Sequence, residues 1–186
     1  MKSRSAIGFT LIELMVTITM IAIVLTVAVP SFQASIRNSV LTAGINEFVA
    51  ALNFARGEAI KMGVNVTVAK TSKTVGYEGG WQVFTDFNAD GQLNSDSSGA
   101  DQLLRTHGPL NTGYTLRGNG DNVTHATYLP NGTISPIGYS FALCDATQTL
   151  TGSTARVVAV NTLGRISMVT TDNKGNLQTT MTTCKP

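Results

Sequence analysis

A single carboxylate, Glu13, stands inside an apolar stretch near the start of this sequence. The stretch covers residues 9–29 and holds no other charged side chain. A carboxylate within an apolar segment of membrane length costs about 2.5 to 3.5 kcal/mol on insertion scales, so it needs a partner of opposite charge. Cleavage between Gly8 and Phe9 would create an ammonium group one helical turn from Glu13, in the same chain or in a neighbour packed beside it.

The N-terminal motif carries a family resemblance. Residues 8–13 read Gly-Phe-Thr-Leu-Ile-Glu after a short basic leader, which resembles the type III signal of type IV pilins and type II secretion pseudopilins. The resemblance implies that a prepilin peptidase cuts after Gly8 and methylates Phe9, and that Glu13 guides the subunit into a filament by pairing with a neighbour's N-terminus. A secretory signal peptide or a plain single-span anchor is the alternative, but an ordinary signal has no use for Glu13.

Two further motifs resemble the FimT, FimU and GspH subgroup of these proteins. An Ala-Arg-x-Glu-Ala pattern occupies residues 55–59, and Gly-Trp-x-Val-Phe-x-Asp-x-Asn-x-Asp-Gly occupies residues 80–91. In the first motif, Arg56 and Glu58 can fix the end of a helix through hydrogen bonds, or they can be solvated. The second motif supports the family resemblance more than it supports metal binding.

The residues Asp86, Asn88 and Asp90 place oxygen atoms at alternate positions, followed by Gly91 where a calcium loop turns sharply. Against calcium, the twelfth position is Ser97 rather than a bidentate Glu, and a strand rather than a helix is predicted before the loop. Asx residues with glycine also form ordinary turns. The sequence therefore predicts no cofactor and leaves calcium as the alternative.

Residues 157–167 predict two strands with a tight connection. This segment resembles the C-terminal hairpin of FimT-like minor pilins, which holds DNA through a Gly-Arg-x-Arg motif. Gly164 and Arg165 match the motif, but Ser167 replaces the second Arg, and each lost cation weakens phosphate binding. Arg165 as an ordinary hairpin residue is the alternative. The cations that could rebuild a basic patch are Arg117, Arg156, Lys174 and Lys185.

No constellation for catalysis is visible in the sequence. His107 and His125 are the only histidines, and no Gly-x-Ser-x-Gly nucleophile motif is present. Residues 118–120, Gly-Asn-Gly, predict a hairpin turn rather than a phosphate-binding loop. We therefore predict a protein that is not an enzyme, with both histidines on the surface or in loops.

Cys144 and Cys184 lie far apart and form no CxxC motif, which leaves neither a zinc site nor a thioredoxin-type motif. Outside the cytoplasm they would form one disulfide that pins the C-terminal segment to the domain. Two buried free thiols are the alternative. Lys2 and Arg4 favour a cytoplasmic N-terminus with the remainder in the periplasm, which favours the disulfide.

Composition limits the remaining choices. The 186 residues suffice for one anchor helix and one domain. Charged residues make up 13% of the chain, about half the usual share, while Thr, Ser, Asn and 18 Gly supply polarity. The net charge of +2 does not indicate a nucleic-acid binder. This composition is typical of a secreted, strand-rich domain.

The predicted elements begin with a leader at residues 1–8 and a transmembrane helix at residues 9–29, which would span about 31 Å. Pro30 predicts a kink or local melting. Residues 30–62 continue the helix with one apolar stripe, which ends at Gly63 and requires a sheet to cover it. The stripe consists of Phe32, Ile36, Val40, Ile45, Phe48, Leu52, Ala55 and Ala59 or Ile60.

Residues 63–186 predict a β-rich domain in the periplasm or beyond, since alternation and turn residues recur at short spacing. The predicted strands are 64–69, 81–86, 102–106, 114–117, 126–129, 138–144, 155–161, 165–170 and 177–184. Short strands after one long helix indicate an α+β, pilin-like fold with an antiparallel sheet packed on the helix stripe.

The function predicted from these features is that of a minor pilin or pseudopilin, anchored in the inner membrane until it enters a pilus or pseudopilus. The resemblance implies three kinds of partner: prepilin peptidase, other major or minor pilins or pseudopilins, and the inner-membrane assembly platform. Type IV pilus biogenesis comes first, with type II secretion as an alternative. A DNA-binding minor pilin in natural transformation is a further alternative.

Overall fold

The computed structural model describes residues 8–72, 74–94, 100–119, 123–135, 138–169 and 184. Within these residues, helix α1 (Leu11–Met62) is followed by a 3-10 turn (Tyr77–Gly79) and nine strands. The strands are β1 (Val66–Lys70), β2 (Trp81–Thr85), β3 (Leu103–His107), β4 (Thr115–Gly118), β5 (His125–Tyr128), β6 (Ile134–Ser135), β7 (Tyr139–Cys144), β8 (Ala155–Val160) and β9 (Ile166–Met168).

The chain divides into two compact units, Met1–Arg37 and Asn38–Pro186. In the first unit, all residues from 8 to 33 are exposed. Helix α1 is, among the described residues, the one helix long and apolar enough to cross a membrane. It starts at Leu11 because the Thr10 hydroxyl oxygen accepts a hydrogen bond from the backbone N–H of Glu13 at 3.3 Å, which caps the first turn.

Pro30 does not interrupt α1, which is helical on both sides of it. The local melting predicted there is therefore wrong. Proline removes one backbone donor from the helix, and the surrounding turns keep their own hydrogen bonds. The kink at Pro30 stays a prediction.

The second unit buries one face of α1 in its core, at steps of three or four residues. The buried helix residues are Leu41, Gly44, Ile45, Phe48, Ala51, Leu52, Ala55 and Ala59. This confirms the predicted stripe from Ile45 to Ala59 and decides against Ile60, which is 54% exposed. The earlier members Phe32 and Ile36 are exposed as well, since they belong to the first unit.

Helix α1 ends where the sequence predicts. Gly63 adopts a positive φ of 68°, a conformation that costs glycine little. Its N–H donates to the carbonyl oxygen of Ala59 at 3.0 Å, which closes the last turn. The chain then enters β1 three residues later.

Two antiparallel sheets form in the second unit, whereas the sequence predicted one. The first has strand order β3-β2-β1-β5-β6 and the second has order β4-β7-β8-β9. A single core contains the buried helix face together with residues of both sheets, including Val68, Trp81, Phe141 and Val158. The helix is therefore covered by both sheets in this unit.

Eight predicted strands agree with the structure to within two residues at the ends that it describes. The ninth, 177–184, lies outside the described residues except for Cys184. The hairpin turn predicted at 118–120 is wrong, because β4 pairs with β7 while β5 pairs with β1 and β6. The chain after Gly118 therefore passes from one sheet to the other. Strand β6 and the 3-10 turn were not predicted.

Cys144 and Cys184 form a disulfide with their Cα atoms 6.1 Å apart, so the alternative of two free thiols is wrong. Cys144 belongs to a second cluster of buried residues, which lies on the face of β7 and β8 turned away from the main core. This cluster contains Ala142, Cys144, Ala155, Val157 and Cys184. The disulfide fixes Cys184 onto that face.

Candidate functional site

The predicted cleavage site lies just ahead of α1. Gly8 and Phe9 precede the first helical residue, and both are exposed. The Phe9 side chain is 80% exposed. The bond between them is therefore outside the helical hydrogen-bond ladder, where a peptidase can reach the main chain.

Glu13 occupies the third helical position of α1, three residues after the capping Thr10. Thr-x-x-Glu is the sequence pattern of a capping box, and a negative charge in the first turn is favoured by the helix dipole. The sequence pattern and the charge at Glu13 therefore both favour the start of a helix here. The sequence already contains this signal, which was not among the predicted features.

Arg56 joins α1 to turns of both sheets. Its Nε donates to the Gly132 carbonyl oxygen at 3.0 Å, and its Nη2 donates to the Leu163 carbonyl oxygen at 3.1 Å. Gly132 follows β5 and Leu163 follows β8. Position 164 requires glycine, because a Cβ there would collide with the Gly132 carbonyl oxygen. Of the two roles considered for Arg56, the structure shows the fixing role.

Glu58 behaves differently from Arg56. Its carboxylate pairs with Lys61 at 3.2 Å, one turn further along α1. The Lys61 side chain is 73% exposed, and exposed ion pairs contribute little to stability. The Glu58 side chain is 19% exposed, and its ion pair lies within one turn of α1.

The predicted calcium loop is held by hydrogen bonds to Asp86, which is fully buried. Its Oδ1 accepts the backbone N–H of Asp90 at 3.1 Å, and its Oδ2 accepts the backbone N–H of Gly91 at 3.0 Å. The Thr67 hydroxyl of β1 donates to Oδ2 at 2.7 Å. Asp86 thus anchors the loop on the first sheet.

The Asp90 carboxylate also accepts hydrogen bonds from N–H groups of the loop. The side-chain amides of Asn94 and Asn88 each donate to Oδ2 at 3.0 Å, and the backbone N–H of Gln92 donates to Oδ1 at 2.8 Å. The Asn94 amide, followed by the Gln92 N–H, lowers the pKa of this carboxyl.

The oxygens expected to bind calcium thus already accept hydrogen bonds, an arrangement typical of a turn. Asp86 and Asp90 both face N–H donors of their own loop. Among the described residues, no group of three His, Cys, Asp or Glu side chains could hold a metal ion. Ser97, the twelfth position, lies outside the described residues, and calcium binding stays an untested alternative to the prediction of no cofactor.

The predicted C-terminal hairpin is confirmed. Strands β8 and β9 pair antiparallel, with Val160 opposite Ile166. The turn between them is closed by the Asn161 N–H, which donates to the Arg165 carbonyl oxygen at 3.0 Å. The Asn161 side-chain oxygen accepts the Arg165 N–H at 2.9 Å. Arg165 itself is exposed.

The cations proposed to surround Arg165 in a DNA-binding patch have other contacts where the structure describes them. Arg117 pairs with Glu78 at 2.6 Å. Arg156 donates to the carbonyl oxygens of Gly152 at 2.6 Å and Ala155 at 2.9 Å. Lys174 and Lys185 lie outside the described residues. DNA contact through Gly164 and Arg165 stays a prediction.

Both histidines lie in strands and are half-buried, which corrects the prediction of loop or surface positions. His107 ends β3 and His125 starts β5. The predicted strands stopped one residue short of each, because the alternation signal fades at strand ends. His125 is packed against Gly91, and His107 contacts Glu47 of α1 at 3.0 Å. Sequence reasoning could not find that contact because it joins distant parts of the chain.

Two known family profiles match this chain. A family profile described as Type II transport protein GspH matches residues 44–164, more than half of the chain. The chain belongs to this family. A second profile, the prokaryotic N-terminal methylation motif, matches residues 3–29 and so contains Gly8, Phe9 and Glu13. The family resemblance inferred from the sequence is confirmed.

Relatives of this GspH-family protein include pilus proteins. Two proteins of Pseudomonas aeruginosa, each named Fimbrial protein, are 30% identical to it over 115 residues, which is 60% of this chain and 73% of each relative.

Crystal structures of the type IV minor pilin FimU of P. aeruginosa share the fold. In space group P21, FimU has a TM-score of 0.58 and 22% identity, covering 78% of this chain and 95% of FimU. In space group P65, the values are 0.56 and 23%, covering 78% and 100%. The predicted pilin-like α+β fold is therefore confirmed.

Membership of the GspH family, combined with the methylation motif, makes this chain a minor pilin or pseudopilin of the type IV pilus or type II secretion class. The methylation motif implies processing by prepilin peptidase. Such proteins are structural subunits that assemble with other pilins. One apolar N-terminal helix fits anchoring in the inner membrane, ahead of a separate folded domain.

Proposed function

We propose that this GspH-family protein is a minor pilin of type IV pilus biogenesis. The observation that carries the proposal is the methylation motif at residues 3–29, which coincides with the start of an apolar helix bearing one carboxylate. The relatives named Fimbrial protein support the pilus over other filaments. In this proposal, prepilin peptidase cuts between Gly8 and Phe9 and methylates the new amino group.

The mechanism follows from the charge at Glu13. After cleavage, the amino group of Phe9 is the cation nearest to that carboxylate along the helix, four residues away. A neighbouring subunit that lacks a partner for its own Phe9 amino group can provide the same cation. An ion pair in an apolar environment is strongly favoured over two separate charges. Pairing between subunits therefore draws the helix from the bilayer into the filament.

The second unit, residues 38–186, is proposed to lie in the periplasm and then on the filament surface. The disulfide between Cys144 and Cys184 supports this placement, because disulfides persist in oxidising compartments. The role of this unit is to present a folded surface rather than to catalyse a reaction. Its partners are other pilins and the inner-membrane assembly platform.

Mass spectrometry of the protein purified from membranes tests the processing step. We expect a mature N-terminus at a methylated Phe9 in cells that contain prepilin peptidase, and the full leader in cells that lack it. A mature N-terminus at any other residue would contradict the proposal.

Replacement of Glu13 by Gln tests the assembly step. The change keeps the side-chain size and the Thr10 cap but removes the charge. We expect the Glu13→Gln protein to reach the membrane and to be cleaved, yet to be lost from sheared pili. Glu58→Gln is the matched control, since the same change on the same helix removes only an ion pair with Lys61 within one turn of α1. Normal incorporation of Glu13→Gln would remove the pairing mechanism.

Type II secretion is the second candidate, because the matching profile is described as a type II transport protein. A chromosomal deletion separates the two functions. Loss of surface pili with normal protein secretion supports the pilus, whereas loss of secretion with normal pili supports the pseudopilus. The Glu13 experiment then applies to whichever filament is affected.

A further inference from the structure

His107 belongs to one element of the second unit and contacts two others. It ends β3, and its ring is stacked on Trp81 of β2 with the ring centroids 3.9 Å apart and the planes 2° apart. Its Nε2 lies 3.0 Å from Oε2 of Glu47 on α1. Its Nδ1 lies 2.7 Å from the carbonyl oxygen of Gly108. Both edges and one face of the imidazole are therefore occupied.

The two oxygen atoms beside the ring decide which form of His107 fits. A backbone carbonyl and a carboxylate accept hydrogen bonds and donate none. A neutral imidazole has one N–H, so one of its nitrogens would direct a lone pair at an oxygen lone pair. The imidazolium has an N–H on each nitrogen and satisfies Glu47 and Gly108 together.

We propose that His107 is a proton-dependent clasp that ties the end of β3 to helix α1. When the imidazole is protonated, it holds Glu47 on one side and the Gly108 carbonyl on the other. As pH rises and the proton leaves, one of the two hydrogen bonds is lost and the ion pair with Glu47 disappears. The inference does not depend on whether the protein serves a pilus or a secretion system.

The backbone around His107 prevents the strand from shifting to relieve an unfavourable contact. Trp81 lies directly opposite His107 in the β2–β3 register. Gly80, with a φ of 105°, lets the strands approach so closely that a Cβ there would lie 2.6 Å from the His107 carbonyl oxygen. The backbone of β3 therefore cannot relieve the contact, and the proton on His107 and the Glu47 side chain, which is 57% exposed, are the parts that can adjust.

Other charged groups near the clasp do not change this argument. His107 and Glu47 border a cavity of about 260 Å³ between α1 and the segment 109–114. Tyr114 is the other titratable side chain that lines it. The Glu78 carboxylate of the neighbouring 3-10 turn pairs with Arg117 at 2.6 Å. Arg105, two residues before His107 in β3, lies over the Phe54 ring of α1, 4.2 Å from its centroid. Glu47 is a charged group in direct contact with His107.

Fluorescence gives a direct test, because Trp81 is the only tryptophan and His107 is one of two histidines in the chain. Protonated imidazole quenches indole emission more strongly than neutral imidazole. We expect the emission of the full-length protein in detergent micelles to rise with pH in one sigmoidal step. The His107→Gln variant should lose this step, and His125→Gln, the matched control, should keep it.

Imidazoles titrate between about pH 5 and about pH 9. Three results would overturn the clasp: no emission step in that range, a step that survives in His107→Gln, or a step that is lost in His125→Gln. If His107→Gln does not fold, ¹H NMR of the imidazole protons identifies the titrating ring. The signals that the wild type shares with His125→Gln belong to His107, and their shift with pH shows whether that ring titrates.

A second measurement tests the role of Glu47. Thermal unfolding of the wild type and of Glu47→Gln is compared at about pH 5.5 and about pH 8.5, on either side of the range in which imidazoles titrate. We expect the variant to unfold at a lower temperature than the wild type at the acidic pH, and at the same temperature at the alkaline pH. An equal difference at both pH values would show that Glu47 acts without the proton on His107.

Discussion

The two parts of helix α1 have opposite surroundings, although they form one continuous element. In the first unit, residues 8–33 expose every side chain. In the second unit, one face of the same helix is fully buried, with Phe48 in contact with three other aromatic rings. A helix that is apolar all round needs lipid or other helices, while a helix with one apolar stripe needs a sheet.

This difference separates two physical roles within one chain. The apolar surface of the first unit is exposed and suits contact with the membrane or with other subunits. The stripe of the second unit supplies the core that makes the domain stable. Substitutions in the two parts should therefore change different measurements.

The largest expected effect comes from Phe48→Ala. The ring has centroid distances of 5.2 Å to Tyr77, 5.2 Å to Trp81 and 4.8 Å to Phe141, and it is fully buried. We expect the free energy of unfolding to fall by about 3 to 5 kcal/mol. Phe32→Ala, at a side chain that is 69% exposed, is the matched control.

Denaturant titrations followed by Trp81 fluorescence measure both variants. The Phe32→Ala protein should unfold at the wild-type midpoint. Equal destabilisation by the two substitutions would break the comparison between the two parts of the helix.

The disulfide should have the next largest effect, again confined to the second unit. Cys144 and Cys184 are separated by 40 residues, so the disulfide restricts a long loop of the unfolded chain. Replacing both cysteines by alanine should lower the free energy of unfolding by about 2 to 4 kcal/mol. Reductant should destabilise the wild type and leave the double variant unchanged. A wild-type protein that is insensitive to reductant would contradict this role.

Arg56→Ala should have an intermediate effect. It removes two hydrogen bonds from a charged donor to the Gly132 and Leu163 carbonyl oxygens, for a loss of about 2 kcal/mol. Arg56→Lys should recover part of that loss, because one ammonium group cannot reproduce the planar fork. Thermal unfolding measures both, with Lys61→Ala on the same helix as a control expected to match the wild type. Full recovery by Lys would show that charge alone matters.

The smallest effect should come from Asp90→Asn, and it should depend on pH. Hydrogen bonds from Asn94 and Gln92 lower the pKa of this carboxyl in the folded state, so ionised Asp90 stabilises the fold above its ordinary pKa. That stabilisation is lost as pH falls through the lowered folded value. The variant should be less stable than the wild type at neutral pH, and the difference should close below about pH 4. A difference that stays constant with pH would exclude this explanation.

Local patterns predicted much of the second unit. Strand positions agree to within two residues, because alternation and turn residues are properties of short segments. The end of α1 at Gly63 was equally local. The hairpin turn at 118–120 was predicted wrongly for the same reason, since the choice of β7 rather than β5 as the partner of β4 is made by residues more than 20 positions away.

By itself, the sequence determined the family, the anchor helix, its buried stripe and the candidate residues Gly8, Phe9 and Glu13. These depend on residue type and spacing within one segment, and a helix or strand converts such spacing directly into a face.

Only the tertiary structure decided that Arg56 joins the helix to turns of both sheets and that His107 meets Glu47. The physical reason is that hydrogen bonds act over about 3 Å. His107 and Glu47 lie 60 positions apart in the sequence. They come within that distance only because the sheet packs against the helix.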